Sequence, residues 1–272
     1  MSDPVLSIRN LSVDYIGAEA DFHAVRNVSF TIAAGEFFGL AGESGCGKST
    51  IAFAITRLLR PPAIIRSGSE ILLDGRDVLA LDSAALRDLR WREVAMVFQS
   101  AMNSLNPVLT IESQFYDVLR THTGMSRTAA RARAADLLRL VDIPADRLSA
   151  YPHQLSGGMR QRVVIAICLA LNPKLLIMDE PTTALDVVVQ REILERINRL
   201  RQELGFSVLF ITHDLALMVQ VSDRIGIMLE GELVEVDDAQ AIYRSPRHDY
   251  TRRLWASIPR LGSERTARDA GQ

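Results

Sequence analysis

One nine-residue run narrows the folds open to this chain more than anything else in it: Gly42-Glu43-Ser44-Gly45-Cys46-Gly47-Lys48-Ser49-Thr50. It has the spacing G-x-x-x-x-G-K-[ST] and stands between an apolar stretch, Phe37–Ala41, and a helix-forming one, Lys48–Leu59. Glycines let the main chain wrap so that successive N–H groups point into one concavity and bind phosphate oxygens. The helix opening near Lys48 adds the positive end of its dipole. In such a loop the lysine ammonium reaches the β- and γ-phosphates of a nucleotide, and the serine hydroxyl ligands Mg2+. Gly42, Glu43, Ser44, Gly45, Cys46, Gly47, Lys48, Ser49 and Thr50 are therefore the candidate nucleotide-binding residues, with Ser49 also a metal ligand. Cys46 fills a free position of the motif and is expected to be passive.

Composition sharpens the case for Lys48. The chain has 31 basic residues, of which only Lys48 and Lys174 are lysine. Lysine offers a compact, flexible point charge that arginine cannot imitate, so a lysine retained in such a chain marks a position needing it. The formal net charge is −2, which leaves no basic excess to hold a polyanion; nucleic acid is not an expected partner. Two cysteines, Cys46 and Cys168, suggest neither a disulfide framework nor a metal cluster and suit a reducing compartment. The start, Met-Ser-Asp-Pro, lacks the charged-then-apolar pattern of an export signal. The longest apolar run, Val163–Leu171, is about half of the ~20 residues that cross a bilayer. A soluble protein, able to dock on a membrane protein, is the expectation.

Short β-rich runs alternate with longer amphipathic ones. Strands are expected at Val5–Arg9, Phe37–Ala41, Glu70–Leu73, Glu93–Phe98, Lys174–Asp179, Ser207–Thr212, Arg224–Leu229 and Glu232–Val236. Helices are expected at Lys48–Leu59, Ser83–Arg90, Ile111–Thr121, Ser126–Val141, Gly158–Leu171, Val187–Leu204 and Leu215–Val221. Leu175–Asp179 and Val208–Thr212 are near-continuous apolar runs, as in parallel strands buried on both faces. The alternation argues for an α/β fold. From about Thr110 to Leu171 only helices are expected, as an inserted helical subdomain. The Arg-rich tail after Ser245 is expected to fray over its last ten residues.

Two further strand ends carry chemistry. Leu175-Leu176-Ile177-Met178-Asp179-Glu180 closes on two carboxylates, and ligand sites of such sheets lie beyond the carboxyl ends of their strands. Asp179 is placed to hold Mg2+, and Glu180 to polarise a water for attack on the γ-phosphate. Ser207–Thr212 repeats the layout and ends in His213-Asp214, which makes His213 a γ-phosphate contact. The run Leu155-Ser156-Gly157-Gly158-Met159-Arg160-Gln161-Arg162 opens a long helix with a second N–H anion site. A chain with one phosphate loop does not obviously need two, unless the second serves a nucleotide on another subunit.

The order of these motifs resembles the nucleotide-binding subunit of ATP-binding cassette (ABC) transporters: phosphate loop, glutamine loop at Gln99, signature at Leu155–Gln161, acidic strand, Ala184-Leu185-Asp186, and His213. The resemblance implies an α/β P-loop NTPase (RecA-like) core with N-terminal antiparallel β elements and an inserted helical subdomain. It divides the chain into an ATPase domain, residues 1–245, with its core in 1–99 and 172–245 and the helical subdomain at about 100–171, and a tail, residues 246–272. It implies ATP hydrolysis with Mg2+ and a head-to-tail dimer. Ser156, Gly157, Gly158 and Gln161 would then face the partner's ATP, Asp186 would lie at the dimer seam, and Gln99 would touch Mg2+ and the attacking water and sense a membrane subunit. Tyr15 sits where the family places an aromatic that stacks on adenine.

Two stretches resemble the dipeptide, oligopeptide and nickel importer group. One is Phe98-Gln99-Ser100-Ala101-Met102-Asn103-Ser104-Leu105-Asn106-Pro107. The other is Arg247–Leu254 with Ile258-Pro259, in which Asp249 replaces the group's usual proline. No cysteine follows Cys168, so the iron–sulfur cluster of some relatives is not expected. The group implies two separate permease chains, an extracytoplasmic binding protein, a second ATPase chain with a heterodimer favoured over a homodimer, and a place on the cytoplasmic face of the cell membrane. Nickel, metal-chelate and oligosaccharide uptake share this pattern with peptides. DNA- or ribosome-directed ABC ATPases fit poorly: only 108 residues separate Lys48 from Ser156, with no zinc module, and there is one cassette. A catalytically silent subunit fits poorly too, because Lys48, Gln99, Ser156, Asp179, Glu180 and His213 are all present.

Overall fold

The two near-continuous apolar runs, Leu175–Asp179 and Val208–Thr212, supply interior strands of a parallel sheet. In the computed structural model, which describes residues 3–99, 101–181 and 185–256, the N-terminal half contains β1 (Leu6–Tyr15), β2 (Phe22–Ile32), β3 (Phe37–Gly42), α1 (Lys48–Ile55), β4 (Ala63–Ile65), β5 (Glu70–Leu73), β6 (Arg76–Asp77), α2 (Ser83–Arg92) and β7 (Val94–Val97). A helical stretch follows, α3 (Ile111–Thr123), α4 (Arg127–Leu140) and α5 (Gly157–Cys168). The remainder alternates again: β8 (Leu175–Asp179), α6 (Val187–Leu204), β9 (Ser207–Ile211), α7 (Leu215–Val221), β10 (Arg224–Leu229), β11 (Glu232–Asp238), α8 (Ala239–Arg244) and α9 (Asp249–Ala256).

Two sheets form. The larger runs β11-β10-β3-β9-β8-β7, parallel except for its edge strand β11. The smaller, β2-β1-β5-β6 with β4 also on β1, is antiparallel throughout. Side chains of a strand alternate between faces, and the central strands divide accordingly. Phe37, Leu176, Met178, Val208, Phe210, Ile225 and Ile227 face one core with the helices α3–α7. Phe38, Leu40, Leu175, Ile177, Leu209, Ile211 and Met228 face a second core, shared with α1 and the antiparallel sheet. The helical stretch has no separate core: Phe115, Leu119, Leu137 and Leu138 merge with the first.

Most helices start where a side-chain cap dictates. Thr110, Ser126, Ser156 and Asp214 each accept the N–H three residues on, at Ser113, Ala129, Met159 and Leu217. Gly124 and Gly205 close α3 and α6 in the left-handed region. Several expectations need correction. The helix expected to Leu59 stops at Ile55, because Arg57 turns left-handed (φ 51°) and its guanidinium grips the carbonyls of Val78, Leu79 and Leu81. The strand expected at Val5–Arg9 continues to Tyr15. Strand β2 was not foreseen: Asn27 (φ 48°) interrupts its alternation, so the period of two is clean only over Val28, Phe30 and Ile32. Nor were α8 and α9, one of them six residues long. Ser100, Ala184, Ile258-Pro259 and the fraying assigned to the last ten residues lie outside the described residues.

Phe37 on β3 and Phe210 on β9 are fully buried and meet edge to face, with ring centroids 5.8 Å apart and an interplanar angle of 74°. Phe210→Ala should cost about 3–5 kcal/mol, read as a lowered urea midpoint with an unchanged m-value.

Candidate functional site

The phosphate loop leaves β3 under tight steric control. Gly42 (φ 150°) and Gly47 (φ 103°) adopt backbone that side chains resist. A Cβ on Gly42 would fall 2.3 Å from the Met228 carbonyl oxygen, and one on Gly47 2.3 Å from that of Ala24. Lys48 is buried, and its ammonium donates to the loop's own carbonyls, Gly42 at 2.8 Å and Glu43 at 2.7 Å; it also lies 3.5 Å from Cys46 Sγ. The cation is thus parked inside the loop, ready for an anionic ligand. The other lysine, Lys174, forms an ion pair with Asp74 at the surface.

Parallel pairing of β3 with β9 and of β9 with β8 brings three loops to one edge. Asp179, at the end of β8, is 3% exposed, and its Oδ1 has no hydrogen-bond partner in the protein. Burial holds its carboxyl above the usual range, and the neighbouring Glu180 carboxylate adds to this; a hydrogen bond with Ser49 and the charge of Lys48 pull the other way. Glu180 is left-handed (φ 45°), a conformation uncommon outside glycine and concentrated at functional sites. Its N–H is held by the Ile211 carbonyl at 2.9 Å. Its carboxylate accepts Gln99 Nε2 at 2.9 Å on one oxygen and lies 3.2 Å from His213 Nδ1 on the other. The three residues with expected catalytic roles therefore meet around a single carboxylate.

Two adjoining clefts share this edge. One, of about 510 Å³, is lined by Gly42, Glu43, Ser44, Gln99, Glu180 and His213, with Leu215 and Leu254. The other, of about 420 Å³, runs along Gly45 and Gly47–Thr50 to Tyr15 and Phe22. Sequence reasoning missed Phe22, which is 61% exposed and pairs across the β1–β2 hairpin with Tyr15. Only the hairpin register could have linked the two rings.

The signature lies elsewhere and lines neither cleft. Ser156 is exposed and caps α5 through Met159 N–H at 3.3 Å. Gly158 passes so close to α6 that a Cβ would stand 2.9 Å from Val189 Cγ1. Asp186 caps α6 by accepting Val188 N–H at 3.1 Å and Val189 N–H at 3.0 Å. Beside it, Val187 and Val188 are 71% and 67% exposed. Gln161 departs from expectation. It is fully buried, with neither amide atom partnered, so its side chain has no access to a nucleotide on another chain. Cys168 is also buried, which pushes its thiol up to about 12 and leaves it inert.

No group of three or more His, Cys, Asp or Glu side chains forms a metal cage among the described residues. The donors at the site fit Mg2+ all the same. A hydroxyl beside a buried carboxylate oxygen that lacks a partner suits a hard cation that takes its other ligands from phosphate and water. A carboxyl raised on folding destabilises the fold once it ionises. Asp179→Asn should therefore raise the melting temperature of the nucleotide-free chain near neutral pH. The gain should shrink as pH falls through the carboxylate range, where Asp179 is protonated in folded and unfolded chains alike. Melting curves across pH check this.

Comparison with known proteins agrees with the geometry. A family model described as ABC transporter matches residues 25–183. The chain is 44% identical over 262 residues to the oligopeptide transport ATP-binding protein OppD of Bacillus subtilis, which covers 95% of this chain and 73% of that protein. It is 43% identical over 272 residues to the dipeptide transport ATP-binding protein DppD of the same organism, covering 98% and 81%. Identity to the peptidoglycan transport ATP-binding protein YejF of Agrobacterium fabrum is 47% over 261 residues, covering 95% of this chain; the chain spans 48% of that longer protein. A solved dimeric ATP-binding cassette in a post-hydrolysis state, bound to ADP and Pi, superposes with a TM-score of 0.75 at 31% identity, covering 86% of this chain and 98% of that one. The cbiO1 protein of Clostridium perfringens, part of an ABC transporter complex, does so with 0.77 at 25% identity, covering 96% and 98%. A phosphate loop facing an acidic strand end and a distant signature would suit several NTPases in outline, but a match across this much sequence and structure does not: the chain belongs to the ABC transporter family, as an ATP-hydrolysing subunit of the group that includes the dipeptide and oligopeptide transport proteins.

Proposed function

We propose that this chain is the motor of an importer for peptides or related small solutes, acting on separate permease chains at the cytoplasmic face of the cell membrane. The observation that carries the reading is the division of the site. Lys48, Asp179, Glu180, Gln99 and His213 share one edge, whereas Ser156, Gly157 and Gly158 open a helix that reaches neither cleft. A half-site of each kind on one chain is what a head-to-tail dimer requires, each signature closing over the partner's nucleotide. The exposed Val187 and Val188 next to Asp186 supply apolar surface for that seam. No helix among the described residues is long and apolar enough to cross a membrane. The helical stretch at about 100–171, joined to the site through Gln99, is the element suited to touch it. A second, different ATPase chain and an extracytoplasmic binding protein complete the assembly, and the names of the relatives favour peptide cargo.

Within the site, the backbone N–H groups of Gly45 and Gly47–Thr50 would hold the phosphates, with the α1 dipole behind them. Lys48 would exchange its carbonyl partners for β- and γ-phosphate oxygens. Tyr15 and Phe22 would present faces to the adenine. Ser49 and Asp179, with Gln99, would hold Mg2+, which when bound neutralises phosphate charge. Glu180 would turn from Gln99 and His213 to a water and accept its proton. His213 would then be free to donate a hydrogen bond to the γ-phosphate.

Glu180→Gln should leave ATP binding intact and lower hydrolysis by about 10²–10⁴-fold in the assembled complex, measured as phosphate release. Unchanged turnover would remove Glu180 from the catalytic role. Purification of this chain in mild detergent from native membranes should recover two multi-span permeases and a second ATPase chain. Recovery of soluble partners alone would overturn the transport reading.

A further inference from the structure

The tail beyond the cassette reaches back to the phosphate loop. Tyr250, on α9, is buried, and its hydroxyl oxygen accepts the backbone N–H of Glu43 at 3.2 Å. The carbonyl of that same residue accepts from Lys48 Nζ at 2.7 Å. Glu43 is thus gripped on both sides, by the tail and by the phosphate-binding lysine. The tail is anchored in turn. Glu235 on β11, itself buried, accepts the N–H of Arg247 at 2.7 Å and of His248 at 3.1 Å, the residues that lead into α9. Tyr250 N–H then bonds His248 Nδ1 at 3.2 Å. Leu254, one turn further, lines the cleft shared by Gln99, Glu180 and His213. Burial keeps the Tyr250 phenol above its usual range, so it remains a neutral hydroxyl at physiological pH.

We propose that residues 247–256 form a strap from β11 to the phosphate loop, and that Tyr250 is a positioning residue which holds the loop in its nucleotide-accepting shape. A loop whose amides are already directed loses less entropy when a ligand arrives, and so binds more tightly. Without the hydroxyl, the Glu43 N–H loses its partner and the limb carrying both Lys48 acceptors loosens. The cost falls on ATP binding. The chemical step, carried by Glu180, is unaffected. The inference rests on ATP binding at Gly42–Thr50.

Tyr250→Phe keeps the buried ring and removes only the hydroxyl. In the full-length chain, the dissociation constant for a fluorescent ATP analogue should rise about three- to tenfold, as for one lost hydrogen bond. In the assembled complex, KM for ATP should rise by the same factor at unchanged kcat. Unchanged affinity and KM would reduce the strap to packing and overturn the proposal. A fall in kcat and melting temperature without a change in KM would do the same. Failure of the wild-type chain to bind the nucleotide would sink the ATP reading beneath it, a result distinct from either.

Discussion

The site depends on β9 lying between β3 and β8 with all three strands parallel. Parallel pairing sends their carboxyl ends to one edge, and the phosphate loop, Asp179–Glu180 and His213 are the residues those ends deliver. An antiparallel neighbour in either place would have carried one of these groups to the far side of the sheet. The order survives because both faces of the sheet are dry: Phe37 and Phe210 lock β3 to β9 on one side, while Phe38, Leu40, Leu209 and Ile211 fill the other. A one-residue slip would exchange the two faces of a strand. With both faces packed, that exchange would misfit both cores at once.

On this rigid edge the chain keeps polar groups that stability alone would not select. Lys48 is buried against two backbone carbonyls and the Cys46 sulfur, and Asp179 is buried with an oxygen unpaired. Burying charge is unfavourable without compensation, and here a nucleotide with its cation would provide it. Glu180 adds a left-handed backbone. Stability given up at a site in exchange for readiness is a common feature of enzymes. The strap from Glu235 to Tyr250 fits the same picture, since it steadies from outside a loop whose interior is arranged for a ligand.

Much of this was legible in the residues. Glu70–Leu73, Arg224–Leu229, Val187–Leu204 and Leu215–Val221 have the predicted bounds, because each is strongly patterned and ended by a clear cap or turn. The loop, the acidic pair and the signature are local motifs whose chemistry follows from spacing. Less legible were elements shaped by partners distant in sequence. The alternation of β2 is broken by Asn27, and the short helices α8 and α9 carry too few residues for their period to show. Phe22 belongs to no motif, and only the hairpin register sets it across from Tyr15. Gln161 sat within a recognised motif, and only packing revealed that it points inward.

By itself, the sequence determined which groups could do chemistry: a glycine-rich loop with a lysine, carboxylates at a strand end, and a serine capping a glycine-led helix. These follow from local backbone and side-chain properties, which neighbours in sequence are enough to express. Tertiary structure decided which of those groups meet. Glu180 lies 81 residues from Gln99 and 33 from His213, and Tyr250 lies 207 from Glu43. Such pairings are set by the order and direction of strands and by how two cores close on a shared sheet, and so they depend on the whole chain's packing.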